Sequence, residues 1–371
     1  MESKNGKKVL IVTALGGSGH ISAAKALKYW LTEWGYESVI ASVGSSTSDE
    51  LYGLSLKSPR TYKSIYALSD RSSVSSVIVK GFSRLEEAKI MEVLTEYHDF
   101  DAVISTYPFF HPTKAKKSII TCLDPVVHSS WLAKPFADHY FMYWDESTEI
   151  LPQEIVKRRD IVLTGPLVRA SFYDVAKKLH SAGDKKEFKI QLGLDPDKRY
   201  CLVTAGGAWI GKSKKYIKHF ETAFRNENMS FIFMCGKNKK FQEQMSRAYS
   251  GNSKFVFLPW KEEKEVAQYM AASDYIAMFT IAQISLEAGL ALLPVYIFGY
   301  IDGQEHYHKK ILTDRGVGVY LDGTIEEKVW EFKELVNNKK QNNITEEKLI
   351  AWQQHLLDSN RRYKEAIDRL V

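Results

Sequence analysis

Two glycine-rich turns, a few histidines and a few carboxylates carry whatever chemistry this sequence can perform. The first turn, Gly16-Gly17-Ser18-Gly19-His20, follows a short apolar run and leads into helical periodicity from about Ile21. A glycine turn between a parallel strand and a helix N-terminus exposes backbone N–H groups at the positive end of the helix dipole, a setting suited to a phosphate or a developing oxyanion. His20 sits at the head of that helix, where a cation is disfavoured. Its functional reading is a neutral imidazole acting as a base, and its plain reading is a solvent-facing side chain. As a dinucleotide fingerprint the turn is GxGxxS, and the acidic residue required about 20 positions later is absent from Ala41 to Ser46. No nicotinamide cofactor is expected.

The second turn, Gly206-Gly207-Ala208-Trp209-Ile210-Gly211-Lys212-Ser213, satisfies the P-loop letters GxxxxGKS and follows an apolar run, as a P-loop does. No later run ends in the aspartate that would hold magnesium, so ATP chemistry is not expected. Two DxD strings, Asp99-Phe100-Asp101 and Asp195-Pro196-Asp197, have the chemistry to hold a divalent cation. Both lie in turns before strands, where turn chemistry accounts for them, and no metal is expected. Asp124, His128 and Trp131 form D-x-x-x-H-x-x-W directly after an apolar run, where α/β sheets place their clefts. A turn carboxylate and a surface histidine are the alternative.

Short runs rich in Val and Ile alternate with helical periodicity, the pattern of parallel strands joined by crossover helices. Strands are expected at Lys8 to Ala14, Ser38 to Val43, Asp101 to Thr106, Ser118 to Leu123, His139 to Trp144 and Ile161 to Thr164, forming one sheet. A second sheet is expected from Tyr200 to Ala205, Ser230 to Gly236, Lys254 to Leu258, Asp274 to Phe279, Leu293 to Ile297 and Gly318 to Leu321. The fold class is therefore α/β, with two doubly wound, Rossmann-like domains. The Gly-Pro turn in Thr164 to Arg169 is the expected linker. It gives domains at 1–168 and 169–344, with 345–371 a closing helix docked through Leu349, Trp352 and Leu356.

A length of 371 residues suits two such domains, and 44% hydrophobic with 26% charged residues excludes a long disordered tail. Fifty-one basic against 45 acidic residues leaves a formal charge of +6, too mild and dispersed for a nucleic-acid partner but favourable to an anionic surface. Cys122, Cys201 and Cys235 are far apart in apolar runs, so neither disulfide nor zinc site is expected. Val9 to Ala14 is too short for a signal segment, which points to the cytoplasm. Tyr275 to Ile301 is apolar but holds Gln283, Glu287 and Pro294, and reads as strand, helix, strand. Leu51 to Arg84 carries six Lys or Arg against Asp70 alone, interleaved with Tyr52, Tyr62, Tyr66 and Phe82. That composition suits a membrane surface, and a solvated loop face is its plain reading.

Several of these stretches fall into an ordered set. GGSGHISAAKAL at 16–27 is followed by FDAVISTYPF at 100–109, LDPVVHSSW at 123–131, TGPLVRASF at 164–172, TAGGAWIGK at 204–212 and SLEAGLALLPVYIFGYIDGQE at 285–305. The set, spread over about residues 8 to 325, resembles glycosyltransferase family 28, most closely its branch of plant monogalactosyldiacylglycerol synthases and bacterial diacylglycerol glucosyltransferases. The resemblance implies a GT-B architecture, two doubly wound domains facing a cleft, with the acceptor on the first and a UDP-sugar on the second. By position it implies that Gly17 and Gly19 in the first turn, and Gly206 and Gly207 in the second, approach the diphosphate. Glu287 would bind the ribose diol, and Gln304 and Glu305 would read the hexose hydroxyls. His20 would be the base for the acceptor hydroxyl, with Asp124 and His128 as rivals.

One departure stands out. Counting back from Glu287, the family's TKxGxGT turn falls on Met278 to Ile284, and its lysine and both glycines are missing. The diphosphate charge would then be met elsewhere, with Lys212 and Lys237 as candidates, or activity has been lost. The expected function is an inverting, metal-independent transfer of a hexose from a UDP-sugar donor to a lipid acceptor such as diacylglycerol, peripheral to the membrane and needing no cofactor. A soluble acceptor, or a silent glycosyltransferase-like protein that binds a protein partner, are the alternatives.

Overall fold

The computed structural model describes residues 6–14, 18–43, 64, 67–93, 100–112, 115–134, 136–151, 160–206, 213–301, 305–338 and 343–371. Among them all twelve expected strands form. β1 (Lys8–Ala14), β2 (Glu37–Val43), β3 (Ala102–Ser105), β4 (Ser118–Cys122), β5 (His139–Met142) and β6 (Asp160–Leu163) make a six-stranded sheet in the order β2-β1-β3-β4-β5-β6. β7 (Arg199–Thr204), β8 (Met229–Met234), β9 (Phe255–Leu258), β10 (Tyr275–Met278), β11 (Val295–Ile297) and β12 (Gly318–Tyr320) make the other, in the order β12-β11-β10-β7-β8-β9. Every pairing is parallel. The central strands are buried along their whole length, as in β3 and β4, because helices cover both faces of a parallel sheet.

The chain divides into two compact units, one of residues 1–170, 302–304 and 356–371, the other of 171–301 and 305–355. The first holds α1 (Ser18–Glu33), α2 (Ser72–Val93) and α3 (Ser147–Ile150). Ala23, Ala24, Leu27 and Leu31 form the buried stripe of α1, at the spacing one helix face requires. The second holds α4 (Ala170–Ala176), α5 (Lys185–Gln191), α6 (Ser213–Ala223), α7 (Lys239–Ala248), α8 (Glu263–Ala272), α9 (Ile284–Leu290), α10 (His306–Asp314) and α11 (Ile325–Asn337). The closing helix, α12 (Glu346–Leu370), gives its residues up to His355 to the second unit and those from Leu356 to the first. Within the first unit it is held by Tyr363, whose hydroxyl meets Thr121 Oγ1 at 2.8 Å, and by Asp368, which accepts from Tyr36 at 2.9 Å.

Each sheet reverses its strand order once, between β1 and β3 and between β7 and β10. The carboxyl ends of the strands flanking such a reversal diverge and leave a crevice, which is where open α/β sheets bind ligands. Gly19, in the first turn of α1, and Gly206, just past β7, lie there. The apolar run 275–301 is β10, α9 and β11, and no helix among the described residues is long and apolar enough to cross a membrane. The three cysteines are buried, and none is in a disulfide among the described residues.

Candidate functional site

In the first unit the reversal brings the start of α1 against the end of β3. The His20 Nδ1 lies 2.6 Å from the carbonyl oxygen of Thr106. A carbonyl only accepts, so Nδ1 carries the proton and the neutral ring has its lone pair on Nε2. Among the described residues nothing bonds to that nitrogen. Thr106 is itself fixed, its N–H donating to Val12 O at 2.9 Å and its hydroxyl lying 3.4 Å from His20 O. Burial holds the His20 pKa below the usual histidine value, against the raising pull of the Thr106 carbonyl. α1 has no acidic residue in its first turn to offset this. The ring is half-buried and therefore neutral and basic at neutral pH. Gly19 precedes it in the same turn of α1, and Gly17 lies outside the described residues.

Asp124 and Trp131 reach the same place from the end of β4. The Trp131 ring is fully buried 6.1 Å from His20 and donates Nε1–H to Asp124 Oδ2 at 3.2 Å. His128 is differently placed. Its Nδ1 accepts the Ser130 N–H at 3.1 Å and meets Ser130 Oγ at 2.7 Å, while its Nε2 lies 3.2 Å from Ser69 Oγ and 3.8 Å from Asp70. Asp70 Oδ1 also accepts the Ser129 N–H at 2.7 Å. With both nitrogens engaged, His128 clips the segment before α2 to the turn that carries Trp131. His111 was not singled out by sequence. It is fully buried, and its Nε2 lies 2.8 Å from Ser130 O, so it holds the same turn from the β3 side. Its position three residues past the Tyr107-Pro108 pair that follows β3 was the available signal.

In the second unit Gly206, two residues past β7, has φ +74, and a Cβ there would lie 3.1 Å from Thr280 Oγ1. Only glycine fits that backbone comfortably. Gly207 and Lys212 lie outside the described residues. The turn that lacks the family's glycines is tightly packed: Phe279 N–H donates to Thr204 O at 3.0 Å, and Ile281 is fully buried. Gln283 has an ordinary right-handed φ of −57, so it needs no glycine, and the left-handed residue is Ala282 at φ 20. Glu287, one turn into α9, is 4% exposed. The carbonyl end of α9 is capped by Gln353 Nε2 on Leu290 O at 2.9 Å and by Lys185 Nζ on Ala291 O at 3.0 Å. Burial lowers the Lys185 pKa to about 8. Glu305 is buried, and its Oε2 accepts the Ile301 N–H at 2.7 Å. Gln304 itself is outside the described residues.

At the carboxyl end of this sheet Lys237, a candidate for the diphosphate charge, has an aromatic neighbour, Trp260, that escaped sequence reasoning. Trp260, just past β9, is 51% exposed, and Lys237, just past β8, places Nζ 5.5 Å from its ring centre. An exposed aromatic face beside a cation suits a flat base next to an anion. The signal was the Pro-Trp pair immediately after an apolar strand. Of the described DxD acids, Asp195 serves its own turn, accepting the Asp197 N–H at 3.0 Å, whereas Asp101 accepts the Lys8 N–H of β1 at 2.9 Å, so turn chemistry does not account for it. Among the described residues no cluster of three or more His, Cys, Asp or Glu could hold a metal ion.

No family model matches the chain. It is similar to a processive diacylglycerol beta-glucosyltransferase of Bacillus mycoides (strain KBAB4), 25% identical over 345 residues that cover 85% of this chain and 82% of that protein. Among solved structures it is similar to Medicago truncatula UGT71G1 complexed with UDP-glucose, at TM-score 0.62 and 12% identity, covering 100% of this chain and 99% of that one. It is likewise similar to Acinetobacter baumannii MurG, at TM-score 0.59 and 12% identity, covering 98% and 99%. The architecture is the GT-B fold expected from the sequence, and the resemblance to the diacylglycerol glucosyltransferases extends along most of the chain.

Proposed function

We propose that this protein is an inverting, metal-independent hexosyltransferase that moves a sugar from a UDP-sugar to a lipid acceptor such as diacylglycerol at an anionic membrane surface. The observation that carries the reading is the Thr106 carbonyl on His20 Nδ1, which leaves the basic Nε2 for a substrate proton. His20 takes the proton of the acceptor hydroxyl as its oxygen attacks the anomeric carbon. The bond to the UDP oxygen breaks in the same displacement, and the configuration inverts. Asp124, through Trp131, keeps the surface beside His20 in place. Glu287 grips the ribose, Trp260 offers a face to the base, and the Lys237 ammonium takes part of the diphosphate charge that glycines would otherwise have met. No cofactor takes part.

The membrane side of the reading rests on α2. Val77 and Leu85 are 74% and 68% exposed on this helix, and Lys80 and Arg84 are exposed along one border of that apolar face. An amphipathic helix of this kind lies in an anionic interface. The residues from Leu51 to Lys63 that prompted the same expectation lie outside the described ones. On this reading the protein works peripherally, at the cytoplasmic surface of the membrane.

The test is direct. Phosphatidylglycerol vesicles containing diacylglycerol are incubated with UDP-glucose, UDP-galactose or UDP-N-acetylglucosamine in the presence of EDTA, and the anomeric linkage of any glycolipid is read by NMR. A β-linked product from an α-linked donor is expected. An α-linked product would refute inversion, and loss of activity in EDTA would refute metal independence. The packed, glycine-free turn at Phe279 to Gln283 favours one other reading, a silent relative that binds a protein partner. Absence of UDP binding by calorimetry would select it.

A further inference from the structure

The exposed face of α2 and the rings around His20 form one continuous apolar strip. Ile78, Phe82 and Leu85 lie within roughly 60° of one another around α2 at 100° per residue. Ile78 is 40% exposed and Leu85 68%, while Phe82 is half-buried. From Phe82 the strip continues by ring contact: Phe82 to Tyr107 at 5.7 Å, Tyr107 to Phe109 at 5.5 Å and Tyr107 to His20 at 5.6 Å. Tyr107 and Phe109 are also half-buried. The polar atoms beneath the strip turn away from it. Ser105 Oγ is 3.0 Å from Tyr107 O, and Thr106 Oγ1 is 3.3 Å from Val12 O. Rings left partly in water beside a candidate base, with the Ser105 and Thr106 hydroxyls spent on backbone, suit hydrocarbon rather than sugar.

We propose that Phe82, Tyr107 and Phe109 are the acyl subsite of the acceptor, the residues that select a hydroxyl attached to hydrocarbon chains and lead it to His20 Nε2. This rests on the reading of His20 as the base of a lipid glycosyltransferase. The acyl chains leave the bilayer over Ile78 and Leu85, and their first methylenes lie across the three rings. The basic border of α2, Lys80 and Arg84, fits an anionic bilayer as the source of the acceptor.

A diacylglycerol with a diazirine near the glycerol end of one acyl chain, carried in phosphatidylglycerol vesicles, tests the path without turnover. Photolysis and mass spectrometry are expected to find adducts both on 78–85 and on 107–109. Adducts on α2 alone, or on neither segment, overturn the subsite. A second arm compares dihexanoylglycerol with dioctanoylglycerol as monomeric acceptors. In the parent, kcat/KM rises by about three- to fourfold for each further methylene buried. Phe109→Ser flattens that dependence, with unchanged UDP affinity showing an intact fold. An unchanged chain-length dependence in Phe109→Ser overturns the subsite, as does preference for a soluble sugar acceptor. If no donor is turned over, the functional reading fails while the crosslinks still decide the strip. If lipid is glycosylated without crosslinks at 107–109, the strip falls and the reading stands.

Discussion

At the strand reversal of the first unit a half-buried imidazole hangs from one backbone carbonyl, with its other nitrogen unengaged among the described residues. At the reversal of the second, Gly206 lies against Thr280, Ile281 is fully buried and the helix behind it has six consecutive buried residues, Ser285 to Leu290. The same plan has been turned to different ends. The first crevice keeps a reactive atom available, at the cost of holding a polar ring partly out of water. In the second, side chains that pack stand where the family this chain resembles has glycines, and on the proposed reading an anion there would be met by groups at neighbouring strand ends, such as Lys237. A site for proton transfer needs one well-oriented lone pair, whereas a site for binding needs many weaker contacts, and the second tolerates rearrangement better.

The contrast breaks most sharply at His20. His20→Ala is expected to lower turnover by about 10² to 10⁴ while UDP affinity stays within a few fold, read by initial rates and calorimetry on the same preparations. An active His20→Ala beside a crippled Asp124→Asn would move the base to the β4 turn. The pH profile sharpens the same point. Because burial depresses the folded-state pKa, His20 remains neutral somewhat below the ordinary value of 6.5, and the acid limb of kcat/KM falls there. Below that ordinary value the unfolded chain takes up a proton that the native ring resists, so this group's contribution to stability diminishes as pH falls.

Glu287→Ala comes next, with an expected loss of about 2 to 3 kcal/mol in UDP affinity if the buried carboxylate holds the ribose by charge-assisted hydrogen bonds. Equal calorimetric titrations of parent and variant would put the donor elsewhere. Gly206→Ala should destabilise the protein by about 1 to 2 kcal/mol, seen as a lower urea midpoint, since alanine resists this left-handed backbone and meets Thr280. An unshifted midpoint would mean that the crevice yields.

Lys185 gives a finer test of the cap behind Glu287. Its folded pKa of about 8 lies below the ordinary 10.5. Between those values the unfolded chain holds a proton that the native protein has shed, so this group makes stability rise with pH across the window, by at most about 1.4 kcal/mol per pH unit. Lys185→Met should lack that contribution in urea titrations at pH 8, 9 and 10. Smallest of all is Ala282→Gly, expected to stabilise by about 0.5 to 1 kcal/mol by relieving the φ of 20. No gain would show that the turn carries no strain.

Strand positions and the two-sheet plan were legible in the sequence, because parallel strands buried on both faces must be continuous apolar runs. Their edges were less legible. The run from Asp101 to Thr106 contracts to β3, since Asp101 spends its carboxylate on the Lys8 N–H and Thr106, its N–H still on Val12 O, turns its carbonyl to His20. The role of His128 was illegible for the same kind of reason: Ser69, Asp70 and Ser130 engage it, and two of these lie about 60 positions away in the chain.

The sequence by itself determined which residues could react and which strands would carry them, since residue type and local periodicity are properties of the chain alone. Only the tertiary structure decided which ring nitrogen of His20 keeps its lone pair, because that depends on a carbonyl 86 residues away. It also decided that Gln283 needs no glycine while Ala282 takes the left-handed turn, and that Trp260 and Lys237 share one strand-end surface. Hydrogen-bond partners and backbone angles at a crevice are set by strands brought together across the reversal of a sheet, and no spacing along the chain encodes which ends will meet.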